Sequence, residues 1–237
     1  MADTVLSPTQ VIPAGLGEAL EPLPYWFVIG GHAVRCFCPY RPSRDVDFGV
    51  RRPADLEGLL ALLRRTGEVE ILERDRGTLH LRWRGIDVSV FVLPTVAAHV
   101  EGRRLTVAGV LATKLHAILD RGTRRDFFDL YVTLQHHRLG LAECLAAIER
   151  VYRQPVSQPL LLRALTYFDD AEREAPLPGE GASDWRLVKD FFTRRAGDLL
   201  VPPGRKLAIQ AQRIDVHSER RRPRAKTRRA KRTPPKA

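Results

Sequence analysis

The chain has few cysteines and no long apolar run. The three cysteines, Cys36, Cys38 and Cys144, are odd in number and have apolar neighbours, which argues against a disulfide framework and favours buried free thiols. Cys36-x-Cys38 has no second pair of ligands, so no zinc site is expected. No apolar run approaches the roughly 18 residues of a membrane span, and residues 1–4 lack the features of a secretory signal. We therefore expect a cytoplasmic protein without a membrane partner.

Positive charge is concentrated at the C-terminal end. Of the chain's 39 basic and 28 acidic residues, residues 205–237 hold 13 and 2, so this segment carries the whole net charge of +11. The body, with 26 residues of each sign, is formally neutral. A basic, proline-containing segment almost without aromatic residues is predicted to be disordered. It can supply electrostatic affinity for a nucleic acid, or it can be a solubility tail without a partner.

The order of the hydrophobic patterns predicts an α+β fold in three parts. Residues 1–106 form a small mixed sheet with flanking helices, residues 107–200 a helical domain, and residues 201–237 the disordered basic tail. Apolar runs and alternation predict strands over 25–29, 44–51, 68–73, 78–84 and 86–93. Helical spacing predicts C-terminal helices over 109–120, 124–138, 141–152, 159–170 and 184–196. A sheet beside a helical cap leaves a cleft, where we place the chemistry.

The most informative segment joins a glycine pair to two aspartates. An apolar run ends at Gly30-Gly31, and Asp45 and Asp47 then alternate with apolar residues. Residues i and i+2 of a strand share a face, so the two carboxylates repel each other unless a cation such as Mg²⁺ lies between them. The glycines allow backbone to approach closely, as phosphate binding requires. The alternatives are an exposed strand face paired with arginines and a simple strand-to-helix turn.

A third carboxylate, Asp87, lies on a later alternating strand, on the same face as Ser89 and Phe91. Glycine pair, Asp-x-Asp and lone strand aspartate together indicate two-metal nucleotidyl transfer. In that chemistry Asp87 holds the second metal or accepts the proton of the nucleophile. The alternative is an edge-strand carboxylate that meets water.

Two helical segments add a lysine and a second pair of aspartates. Lys114 lies in an apolar stripe with Leu115 and Ile118, where a lysine can also extend to water. Asp126 and Asp129 are three residues apart and share one helix face. The alternative for this pair is a set of carboxylates favoured by the positive end of the helix dipole.

The ordered set resembles the AbiEii/AbiGii toxin branch (DUF1814, MenT-like) of the DNA polymerase β-type nucleotidyltransferase superfamily. The likeness covers roughly residues 25–134. Residues 111–121 match the pattern L-x-x-K-x-x-A-h-x-x-R, with h apolar, and residues 125–130 match R-D-x-x-D-L. Ser43 departs from the threonine usual in the branch but keeps the hydroxyl.

The resemblance and the residue patterns together give the predicted site. The nucleotide-binding residues are Gly30, Gly31, Ser43, Lys114 and Arg121; the Mg²⁺ ligands are Asp45, Asp47 and Asp87; and the catalytic residues are Asp45, Asp47, Asp87, Lys114, Asp126 and Asp129. The aspartate pair is expected in the active cleft, where it positions Lys114 or Arg121.

The predicted activity is transfer of a nucleoside monophosphate from an NTP to an acceptor hydroxyl, with Mg²⁺ and release of pyrophosphate. The resemblance implies a toxin of a toxin–antitoxin or phage-defence pair, with RNA, and specifically a tRNA 3′ end, as the acceptor and an antitoxin protein as a partner. One alternative is a small-molecule acceptor, as in aminoglycoside nucleotidyltransferases. The other is a catalytically silent fold that binds nucleic acid or a partner protein.

Overall fold

A five-stranded mixed sheet forms the N-terminal half of the computed structural model, which describes residues 5–43 and 45–200. The strand order is β1-β2-β5-β4-β3, with β2 and β5 parallel and the other neighbours antiparallel. The strands are β1 (Trp26–Val28), β2 (Val46–Val50), β3 (Val69–Arg74), β4 (Thr78–Trp83) and β5 (Ile86–Val92). The predicted mixed sheet and all five strands are confirmed; four strands are shorter than predicted, and β3 is shifted by one residue.

The helices of the N-terminal half flank this sheet. They are α1 (Pro8–Val11), α2 (Ala14–Leu20), α3 (Gly30–Arg35) and α4 (Pro53–Thr66). A short two-stranded ribbon, β6 (Val100–Glu101) with β7 (Arg104–Leu105), leads into the helical half. The sequence patterns did not predict this ribbon.

The helical half contains α5 (Val107–Asp120), α6 (Arg124–His136), α7 (Leu141–Tyr152), α8 (Gln158–Thr166), α9 (Asp169–Arg173) and α10 (Asp184–Leu200). The single helix predicted over 159–170 is wrong. Tyr167 has an extended backbone (φ −96°, ψ 111°), so α8 stops and α9 begins as a separate short helix.

Strand alternation divides the sheet into an apolar face and a polar face. Phe48, Leu81 and Val90 are fully buried in the core on one face, together with the leucines of α4. The opposite face carries Asp47 beside Ser89 of β5, and Ser89 is in turn the register partner of His80 on β4. The polar face therefore presents one row of functional groups across three strands.

Helix α5 packs against α7 and α6, and it also contacts α3. The described residues up to Gly197 belong to one compact unit. The boundary that we place at residue 106 stays a prediction, and the tail over 201–237 lies outside the described residues. Cys36, Cys38 and Cys144 are buried free thiols, as predicted. Among the described residues, no helix combines the length and apolarity that a membrane crossing needs.

Candidate active site

The Asp-x-Asp pair lies at the start of β2 and lines a cavity of about 560 Å³. Burial raises the pKa of Asp47, and the negative charge of Asp45 raises it further, while Lys114, Arg125 and Arg121 act to lower it; the net pKa is raised. Asp47 thus lies where a carboxylate is poorly solvated and where positive charge stabilises its ionised form. The predicted common orientation of the two carboxylates agrees with this placement.

Position 30 requires a glycine because its backbone lies against the carboxylate of Asp47. Its φ of +60° is in the left-handed region, and a Cβ built there would lie 2.4 Å from Oδ2 of Asp47. No larger residue fits without moving the carboxylate. Gly31 is next to the segment that precedes β2, since a Cβ on Gly31 would approach Oγ of Ser43 to 2.9 Å. The glycine pair is therefore more than a simple turn, because it lets α3 begin directly against the carboxylate site.

Lys114 does not extend to water. Its side chain is only 5% exposed, and its Nζ lies 2.6 Å from Oδ2 of Asp129 and 3.2 Å from Oδ1 of Asp126. Burial by itself lowers the pKa of Lys114, but the charges of Asp129 and Asp126 outweigh it and leave the pKa raised. The ammonium group therefore stays protonated and is held at the wall of the cavity.

The buried carboxylate of Asp126 accepts hydrogen bonds from three side chains. Its carboxylate accepts hydrogen bonds from Lys114, from the Nε of Arg121 at 2.9 Å and from the hydroxyl of Thr123. Burial alone raises the pKa of Asp126, but Lys114 and Arg121 outweigh it and hold the pKa well below its usual range. The predicted role of positioning Lys114 or Arg121 agrees with these contacts, since Asp126 bonds to both.

Asp129 joins the same cluster from the other side. Arg41 donates to it through Nε at 3.1 Å and Nη2 at 2.9 Å, and Tyr40 donates its hydroxyl proton. Burial again acts to raise the pKa of Asp129, and Lys114 and Arg41 outweigh it, so the pKa is lowered. The contacts of Asp129 with Lys114, Arg41 and Tyr40 explain why an aspartate lies at this position better than the helix dipole does.

Three further residues contact the predicted site residues: Tyr40, Arg41 and Arg125. None of them was predicted from the sequence as a site residue. Arg41 bonds to Asp129 across 88 residues of sequence, and Arg125 Nη1 lies 4.0 Å from Oδ2 of Asp45. The only available signal was that two carboxylate pairs need cations nearby. The identity of those cations depends on how α6 packs beside the segment before β2.

Asp87 does not form a cluster with the first carboxylate pair. It lines the same cavity, but its Oδ1 accepts a hydrogen bond from Nε of Arg82 at 2.9 Å, and its side chain is 48% exposed. Among the described residues, no three His, Cys, Asp or Glu side chains converge as a metal site. β5 lies between β2 and β4, so the alternative was wrong to place Asp87 on an edge strand, but the half-exposed carboxylate does meet water as that alternative expected. The assignment of Asp87 as a metal ligand and catalytic residue stays a prediction.

Comparisons with known proteins identify the family of the chain. The sequence profile of the nucleotidyl transferase AbiEii toxin, type IV toxin–antitoxin system, matches residues 68–202, which include Asp87, Lys114, Asp126 and Asp129 but not the Asp-x-Asp pair. The uncharacterized protein aq_aa25 of Aquifex aeolicus (strain VF5) is 27% identical over 184 residues, covering 74% of this chain and 88% of the relative.

The crystal structure of JHP933 from Helicobacter pylori aligns with a TM-score of 0.50 and 16% identity, over 86% of this chain and 94% of that one. At this identity the likeness shows a shared fold. The profile match extends over more than half of the sequence, and so the chain belongs to the AbiEii nucleotidyl transferase toxin family and is a nucleotidyltransferase.

Proposed function

We propose that the protein transfers a nucleoside monophosphate from an NTP to an acceptor hydroxyl of RNA, a tRNA 3′ end in particular, with Mg²⁺ as cofactor. The observation that carries the proposal is that one cavity is lined by two carboxylates, Asp45 and Asp47, together with three cations: Lys114, Arg121 and Arg125. Anionic ligands for a metal and cationic ligands for phosphates therefore line the same cavity.

The residues present fit Mg²⁺. The ion takes oxygen ligands and is usually held by one or two carboxylates together with substrate phosphates, so Asp45 and Asp47 suffice without a third protein carboxylate. The raised pKa of Asp47 indicates a carboxylate that a nearby cation would stabilise in its ionised form. When bound, Mg²⁺ would neutralise charge on the transferred phosphoryl group and on the leaving pyrophosphate.

The protein's own cations would serve the phosphates. The buried cluster contains three cations, Lys114, Arg41 and Arg121, and two anions, Asp126 and Asp129. It therefore carries one excess positive charge beside Asp47. A preorganised cation in a poorly solvated site stabilises charge that increases in the transition state. In the reaction, the acceptor hydroxyl gives its proton to a base, for which Asp87 is the predicted candidate, and its oxygen bonds to the α-phosphorus. The bond from that phosphorus to the oxygen that bridges to the β-phosphate breaks, and pyrophosphate leaves.

Membership of a type IV toxin–antitoxin family implies a nucleotide substrate and an antitoxin partner. A cytoplasmic location and an RNA acceptor agree with that role, and the basic tail over 205–237 would add electrostatic affinity for RNA.

The test is to incubate the full chain with each NTP, labelled at the α-phosphate, together with Mg²⁺ and total RNA. We expect label in an RNA band that is absent when an Asp47→Asn variant replaces the wild type. Asp190→Asn is the matched control, since Asp190 is an exposed aspartate on α10 that does not line the cavity. Label in a small molecule would support the aminoglycoside-like alternative, and no label with any NTP would support the silent-fold alternative.

A further inference from the structure

A second cavity, of about 300 Å³, lies next to the first. The two cavities share five lining residues: Gly30, Asp47, Phe91, Lys114 and Arg121. A molecule with phosphates at the shared residues could therefore extend into either cavity. Cavities of this size occur at small-molecule sites, which are mostly apolar with a few polar groups.

The second cavity has aromatic and apolar walls from two parts of the fold. Phe91 and Leu93 line it from the end of β5, while His116 of α5 and Tyr152, the last residue of α7, line it from the helices. The rings of His116 and Tyr152 are stacked, with centroids 4.9 Å apart and planes inclined by 28°. This pair, which we name the aromatic wall, offers a planar surface on which another ring can stack.

Polar groups are placed at the same cavity. Asp120, in the last turn of α5, is exposed and lines it. A carboxylate there can accept hydrogen bonds from sugar hydroxyls or from ring N–H groups. Burial raises the pKa of Tyr152 to about 12, so its hydroxyl stays protonated and can donate at neutral pH.

We propose that this second cavity binds the nucleoside part of the donor NTP, with the base on the aromatic wall. The proposal rests on the proposed function, since it needs an NTP whose phosphates lie at Lys114 and Arg121. The larger cavity is then left for the acceptor. Its floor contains His80 and Ser89, joined by a hydrogen bond of 2.8 Å between Nδ1 and Oγ.

The lining favours a donor nucleoside over an RNA segment. Asp120 adds negative charge, which would repel the phosphates of a continuing strand. Arg41 and Arg125 line only the larger cavity, but so do Asp45, Glu73 and Asp87, and the formal charges of each cavity balance. The assignment therefore rests on size and on the aromatic wall. The cavity of about 560 Å³ has more room for a polymeric acceptor, and the cavity of about 300 Å³ suits a single nucleoside.

The experiment measures binding by calorimetry with two kinds of probe. The first is the set of four α,β-methylene NTP analogues, which cannot be transferred, and the second is inorganic tripolyphosphate, which has no base or sugar. The variants are His116→Ala and Tyr152→Leu, with Tyr152→Phe as the conservative form that keeps the ring. Tyr131→Leu is the matched control, because Tyr131 is a partly buried tyrosine that packs on Phe191 away from both cavities.

For the NTP analogue that wild type binds best, we expect affinity to fall roughly ten-fold in His116→Ala and Tyr152→Leu, the usual scale for loss of a stacking partner. Tripolyphosphate should bind these variants as it binds wild type, and Tyr152→Phe should retain most of the NTP affinity. Thermal melting checks that each variant is folded.

Unchanged NTP binding in both folded variants would overturn the proposal and leave the proposed function standing. So would a raised KM for RNA with unchanged NTP affinity, which would assign the cavity to the acceptor's terminal nucleoside. Equal losses for tripolyphosphate and NTP would also overturn it, because the variants would then disturb the phosphate residues. If wild type neither binds any NTP analogue nor transfers label, the proposed function itself fails.

Discussion

The two pairs of aspartates lie around the same lysine, yet their surroundings differ. Asp126 and Asp129 accept charged hydrogen bonds from several donors, and both have lowered pKa values. Among the described residues, the carboxylate of Asp47 accepts no such bond, and burial raises its pKa. The protein itself satisfies the helix pair of Asp126 and Asp129. The strand pair of Asp45 and Asp47 has a single ion pair among the described residues, from Arg125 to Asp45 at 4.0 Å, which agrees with the proposed binding of Mg²⁺.

This difference indicates that the two pairs have different roles: the helix pair positions other side chains, and the strand pair would take part directly in the reaction. Asp126 and Asp129 hold Lys114, Arg121 and Arg41 in place, so they would act through those cations. Buried carboxylates with this many partners are costly to disturb, because removing one member leaves an uncompensated charge. The strand pair has few such contacts, so its substitution should cost less stability.

Breaking the strand pair should give the largest effect on activity. The double variant Asp45→Asn/Asp47→Asn should lower label transfer by roughly 100- to 1,000-fold or more, the scale for removing a group that stabilises transition-state charge. The fold should stay intact or become slightly more stable, since two neighbouring negative charges are removed. Label transfer and thermal melting are measured side by side. If the double variant retained its activity, the assignment of Asp45 and Asp47 as metal ligands would be wrong.

Removing the shared lysine should affect activity more than stability. Without Lys114, Asp126 still pairs with Arg121 and Asp129 with Arg41, so the cluster becomes neutral and no carboxylate is left unpaired. Lys114→Met should therefore lower transfer by a factor that corresponds to a few kcal/mol, with a smaller loss of about 1 kcal/mol in unfolding free energy. Turnover measurements test the first expectation, and urea denaturation tests the second. Full turnover in the variant would show that Lys114 has a structural role only.

Neutralising Asp129, one member of the helix pair, should affect stability more than activity. Asp129→Asn leaves the cluster with three cations, Arg41, Lys114 and Arg121, and only one anion, Asp126. We expect a loss of about 3–5 kcal/mol in unfolding free energy near neutral pH. Because the folded-state pKa of Asp129 is lowered, its stabilisation is present above the unfolded value of about 4 and is lost as pH falls below it. The gap between wild type and variant should narrow below about pH 4 in denaturation curves. A pH-independent gap would mean that the lost stability is not electrostatic.

Local patterns predicted the strands and the orientation of the Asp-x-Asp pair, because alternation fixes which side chains share a face. The same reasoning could have gone further at Asp87. A turn at Arg84-Gly85 pairs Trp83 with Ile86 and Arg82 with Asp87, so the salt bridge that engages Asp87 follows from the hairpin register.

Other parts of the site depend on contacts that no local pattern reports. Arg41 and Asp129 meet only because α6 packs beside the segment before β2, and the depth of burial of Lys114 is set by the same packing. The second cavity requires the end of α7 to lie against α5, so that Tyr152 reaches His116. These are contacts between elements that are distant in sequence, and composition or spacing does not determine them.

Deleting residues 205–237 spares both aspartate pairs and should have the smallest effect on chemistry. The deletion removes the whole net charge of +11, and each neutralised phosphate adds roughly 0.7 to the slope of log affinity against log salt for single strands. We therefore expect the truncated protein to bind RNA weakly and with a much flatter salt dependence. Turnover at saturating acceptor should be nearly unchanged, because every predicted site residue precedes residue 130. Filter binding at several salt concentrations and transfer assays measure the two effects. An unaltered acceptor affinity at low salt would indicate that the tail does not bind RNA, and the case for a small-molecule acceptor would become stronger.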